Sequence, residues 1–108
     1  MVQDRVSTEA DEQLRDYELV LVISPEVDGE VFEATIDNVS RFVTGSGGVI
    51  SDIERWGKRR LAYPIKHFGE GSYVLAKFKL KPESGKELEA NLRISEDVLR
   101  YLLIRLDG

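Results

Sequence analysis

The sequence predicts an α+β fold: a four-stranded antiparallel sheet with two helices packed on one face. Three observations carry this. Apolar residues run together or alternate in four stretches, 17–23, 49–65, 72–80 and 98–106, as they do in strands. Two intervening stretches, one opening at Asp28 and one at Pro82, repeat apolar residues every three or four positions, as helices do. The resulting order, β-α-β-β-α-β, is the split β-α-β sandwich called ferredoxin-like, in which the second strand lies at the sheet edge and the face away from the helices is left uncovered.

Each element has its own warrant. YELVLVI (17–23) is apolar and β-branched throughout, which suits a central strand. Asp28 stands as a helix N-cap, with Glu30 and Glu33 near the positive end of the helix dipole. Phe32, Ile36, Val39 and Val43 then form one apolar stripe, and Gly45-Ser46-Gly47-Gly48 ends the helix. Val49 to Ile65 reads as a long strand with a bulge at Gly57. Within it Pro64 cannot donate to a ladder, which makes this an edge strand, and its Lys and Arg residues discourage stray pairing. KHFGEG (66–71) is turn material. Val74, Ala76, Phe78 and Leu80 then alternate with Tyr73, Leu75, Lys77 and Lys79 as a half-buried strand. In the second helix, Ser84 and Glu87 have the spacing of a capping box, and Leu88 and Leu92 share a face.

At 108 residues the chain has room for one two-layer domain. It is expected over residues 16–107, behind a flexible acidic extension over residues 1–15. No apolar run approaches the ~20 residues that cross a bilayer. There is no cysteine, which removes disulfides and thiolate chemistry and suits a reducing cytoplasm. His67, the single histidine, lies in a turn without an orienting partner, the GSGG run closes a helix rather than opening one, and Asp52 and Glu54 are surface acids on a strand. No catalytic residue, metal site or cofactor is expected, and the chain is not read as an enzyme.

Charge is the informative feature. The net charge is −5, and residues 1–54 hold three Lys/Arg against thirteen Asp/Glu, yet RWGKRRLAYPIK (55–66) holds five cations and no acid. A partner meets this local patch and not the average. Lys and Arg neutralise phosphates, and aromatic rings stack on bases or ribose. Arg55, Trp56, Lys58, Arg59, Arg60, Tyr63 and Lys66 are therefore the candidates for contact with RNA or with a partner. Edge protection is the competing reading for the cations, and core packing for Trp56.

The run W-G-K-R-R-L-A-Y-P-I (56–65), supported by Y-E-L-V-L-V-I, by Gly71-Ser72-Tyr73-Val74 and by Leu92-Arg93-Ile94 followed by Glu96-Asp97-Val98, resembles the bacterial small-subunit ribosomal protein S-six family. The resemblance covers about Tyr17 to Leu106. It implies the same fold and a structural role at the cytoplasmic ribosome: binding small-subunit ribosomal RNA together with a small basic partner, ribosomal protein S-eighteen, on the platform of the subunit. It places Lys58, Arg59, Arg60 and Tyr63 in the family's signature strand. The sequence departs from many members in residues 1–15 and in ending at Asp107-Gly108, where those members continue into a polar tail. Two alternatives stay open. A single-strand RNA reader of the RRM type shares the strand order but needs exposed aromatics on its central strands, near which only Tyr17 and Tyr73 stand. A small enzyme or ligand-binding regulator on the same fold needs a lined pocket.

Overall fold

The computed structural model describes residues 14–106. Strand β1 (Arg15–Ile23) leads to helix α1 (Gly29–Gly45), a β2–β3 hairpin (Val49–Ile65 and Phe68–Leu80), helix α2 (Pro82–Ile94) and strand β4 (Val98–Arg105). The sheet order is β2-β3-β1-β4, antiparallel throughout. The ferredoxin-like plan therefore holds, with β2 at an edge. Residues 1–13 of the expected extension, and Asp107 of the expected domain, lie outside the described residues. Arg15 already belongs to the sheet, opposite Leu80.

The core lies between the helices and one face of the sheet. Tyr17, Leu19, Leu21 and Ile23 of β1 and Val74, Ala76, Phe78 and Leu80 of β3 point into it, against Ile36, Val39 and Val43 of α1 and Leu88 and Leu92 of α2. These are the positions that the two periodicities single out, because side chains alternate along a strand and return every third or fourth residue on a helix. No helix among the described residues is long and apolar enough to cross a membrane.

Asp28 caps α1 as its sequence position suggests: its Oδ1 accepts the Val31 N–H at 2.8 Å. Asp28→Ala is expected to cost about 1 kcal/mol, read as a lower denaturation midpoint at unchanged slope. The capping box expected at Ser84 and Glu87 does not form. Helix α2 opens at Pro82, as expected, but with Lys81 as an N-cap in extended conformation (φ −71°, ψ 143°) and no side-chain cap bond. Proline fixes its own φ for the first helical position and pushes the residue before it out of the helical region, so Pro82 sets the boundary. Ser84 is thereby carried into the first turn, where it is buried.

A second difference is at the hairpin. The turn is Lys66-His67 alone, both with positive φ (49° and 76°), and Phe68 to Gly71 belong to β3. A two-residue turn with positive φ twice matches the right-handed twist of the flanking strands. Gly69 and Gly71 are strand residues. At Gly71 a Cβ would collide with Val22 Cγ1, so glycine is required there by close approach rather than by a turn.

Candidate RNA-binding arm and its surroundings

Pairing between β1 and β3 stops at Ile23–Ser72, whereas β2 and β3 run on together to Ile65–Phe68. Beyond Lys58 and Ser72 the hairpin is thus a two-stranded ribbon no longer paired with β1. Every candidate after Arg55 and Trp56 sits on this arm.

The base of the arm is built around Gly57. Its φ of 84° and the register shift between Arg55 and Gly57 form the expected bulge. Arg55, before the bulge, faces the helical side, where Nε and Nη2 donate to both oxygens of Glu33 on α1 at 2.9 and 2.7 Å. This two-bonded pair holds the Glu33 carboxyl below the usual range, chiefly through the hydrogen bond, and raises Arg55 in turn. With the folded value depressed, the pair's contribution is present above the ordinary glutamate pKa and is lost as pH falls through the lowered one. Arg55 is a cation already committed within the domain.

Trp56, 40% exposed, is neither core nor unattached. Its Nε1–H donates to Glu54 Oε1 at 3.0 Å, and the Arg59 guanidinium lies 5.3 Å from the ring centroid. A cation over an indole face is held by the ring quadrupole while its other N–H groups stay available. Arg59 pairs in register with Gly71 and Arg60 with Glu70. Lys58, Arg60 and Lys66 are exposed and form no ion pair among the described residues. Strand alternation puts Lys58 and Arg60 on one side of the ribbon and Arg59 on the other, while Lys66 stands in the turn.

The sheet face away from the helices is not wholly uncovered. Leu61, only 8% exposed, packs from the arm toward Gly71 and Val22, and both Val22 and Leu75 on that face are buried. Tyr63, 59% exposed, reaches across to β4, where its hydroxyl accepts from Arg100 Nη1 at 3.3 Å. Gly71→Val is expected to loosen this packing and cost about 1–3 kcal/mol by overpacking, read as a lower Tm. Leu61 and Arg100 belong to the site although the basic run does not include Arg100. Its signal is the alternation of Arg100, Leu102 and Ile104, which the pairing with Val22, Val20 and Glu18 sets on the same face.

Among the described central-strand residues only one aromatic, Tyr73, stands on that face. Tyr17 points into the core, 6% exposed and stacked on Phe78 with ring centroids 5.9 Å apart, which leaves Tyr73 alone on the other side. The RRM-type reading loses its platform. The charge is distributed by layer: α1 and α2 carry Glu30, Glu33, Asp37, Glu83, Glu87 and Glu89 against Arg41, Lys86 and Arg93, while the arm is cationic.

The family model described as Ribosomal protein S6 matches residues 16–105. The small ribosomal subunit protein bS6 of Moorella thermoacetica is 42% identical over 87% of this chain and 96% of its own length. That of Carboxydothermus hydrogenoformans is 46% identical over 87% and 98%. Among solved structures, the 30S ribosomal protein S6 of Thermotoga maritima superposes with a TM-score of 0.81 at 32% identity, covering 86% of this chain and 88% of that one. Fold and sequence agree: the chain belongs to the ribosomal protein S6 family of the small ribosomal subunit, a family of structural proteins and not of enzymes.

Proposed function

We propose that this chain binds small-subunit ribosomal RNA through its β2–β3 arm, together with ribosomal protein S-eighteen, during subunit assembly in the cytoplasm. The observation that carries the reading is the arm itself: Lys58, Arg59, Arg60 and Lys66, all exposed, stand on the two-stranded ribbon of an otherwise acidic domain. A two-stranded ribbon can lie along an RNA backbone where a flat sheet cannot, and its cations release counterions as they meet phosphates. Trp56 and Tyr63 add ring faces for ribose or an unstacked base. Such contacts order and position RNA with little base readout.

The acidic helices fit this division of labour. Glu30, Glu83, Glu87 and Glu89 are repelled by phosphate, which turns the helical layer away from RNA and toward a basic protein. Cross-linking tests the orientation. In a reconstituted complex of this protein, the basic partner and small-subunit ribosomal RNA, ultraviolet light is expected to attach nucleotides to peptides within residues 55–66. Attachment confined to α1 and α2 would reverse the assignment.

A further inference from the structure

The bulge at Gly57 decides which cation meets which ring. In an unbroken strand Glu54, Trp56, Lys58 and Arg60 would share one face, and Arg59 would stand on the other. Trp56 is the extra residue: Arg55 pairs with Val74 and Gly57 with Tyr73, so the alternation shifts by one. Glu54 consequently stands opposite Leu75, and Arg59 opposite Gly71, which packs on Val22. Both therefore lie on the sheet face away from the helices, and Trp56 reaches both. Lys58 and Arg60 turn to the other side.

The three side chains form a run of contacts. The Arg59 guanidinium lies 5.3 Å from the Trp56 ring centroid. The indole Nε1–H donates to Glu54 Oε1 at 3.0 Å. The other oxygen of Glu54 faces Lys77 Nζ on β3 at 3.9 Å, a long and weak pair beside the hydrogen bond. An arginine on a narrow ribbon otherwise has full rotamer freedom, which it must give up on binding. A guanidinium laid over a held indole has lost part of that freedom beforehand. Arg59 also forms no ion pair among the described residues that a phosphate would have to displace.

We propose that Glu54 is a positioning residue for RNA binding: by holding the Trp56 indole, it aims the Arg59 guanidinium at a phosphate of the RNA. The proposal rests on the arm being the RNA-binding element. It reverses what charge alone predicts. An acid beside a cationic patch repels phosphate, so its removal should tighten binding. Acting through Trp56 and Arg59, its removal loosens binding instead.

Glu54→Ala and Glu54→Gln separate the two effects. Both remove the same charge, and only glutamine keeps an oxygen that accepts from the indole N–H. Titration on a small-subunit ribosomal RNA fragment, with ribosomal protein S-eighteen present, is expected to show Glu54→Ala binding about two- to fivefold more weakly than the parent, the range spanned by an exposed cation–π contact. Glu54→Gln is expected to bind as the parent does or more tightly. In an Arg59→Ala background the alanine penalty should vanish, because no guanidinium is left to aim. Trp56 is the single tryptophan, so its fluorescence anisotropy follows the ring in the free protein. Its mobility should rise in Glu54→Ala and stay low in Glu54→Gln. Glu54→Ala binding as tightly as Glu54→Gln overturns the proposal, and so does a penalty that persists without Arg59. Arg59→Ala without effect on RNA binding overturns the reading of the arm itself, and the proposal with it.

Discussion

Phe78→Ala lowers stability by about 3–5 kcal/mol, the largest loss expected of any single substitution in this chain. Phe78 is 1% exposed, in the middle of β3, flanked in the ladder by Tyr17 on one side and Ile50 on the other. Truncation leaves a cavity that the close-packed β1, α1 and α2 cannot fill by relaxing. A domain of this size has a total stability of about 5–15 kcal/mol, so the variant loses a large share of it and its Tm falls by more than about ten degrees. Calorimetry decides: a shift of only a degree or two would mean that the sheet and helices are not packed as described. Leu88→Ala, on the opposing helix, is expected to cost about 2–5 kcal/mol for the same reason.

The largest functional effect is expected from Arg59→Ala with Arg60→Ala. Both side chains are exposed and neither supports the core, so the double variant keeps the fold and its Tm changes by little. Binding to small-subunit ribosomal RNA is expected to fall at least tenfold near 0.1 M salt. The slope of log affinity against log salt should also become shallower by about one to two, since each lost phosphate contact removes just under one released counterion. Two controls sharpen the reading. Arg55→Ala should weaken RNA binding much less, because that guanidinium is already held by Glu33. Lys86→Ala, on α2 in the acidic layer, should not weaken it at all. Equal losses for all of them would reduce the arm to a contributor of net charge.

Much of this architecture is legible from local rules. Pro64 marks β2 as an edge because a missing N–H has the same consequence in any context. Asp28 marks a helix start, and Gly57 a bulge, because each needs only its immediate neighbours. The failures are of two kinds. Ser84 and Glu87 match a motif, but Pro82, two residues earlier, imposes the boundary through its ring. Gly69 and Gly71 look like turn residues, and what places Gly71 in a strand is the approach of Val22, which is distant in sequence.

The site divides the same way. The acid-free basic run is visible in one dimension, and so is its likeness to a known family. Invisible there is the capture of Arg55 by Glu33, 22 residues away, which withdraws one of the five cations from the patch. The direction of Tyr17 is hidden because YELVLVI is nearly all apolar, which masks the two-residue period that distinguishes one face from the other. Arg100 joins Tyr63 only once β4 is in place beside β1.

The central claim is that the arm binds RNA and that a basic partner protein completes the binding surface. The most direct test is a titration of the full chain on a small-subunit ribosomal RNA fragment, with and without ribosomal protein S-eighteen, at two salt concentrations. The account predicts tight binding that requires the partner, weakens steeply with salt and is lost in the Arg59→Ala, Arg60→Ala variant. Partner-independent binding to any single strand, or binding indifferent to salt and to the loss of both arginines, would contradict it.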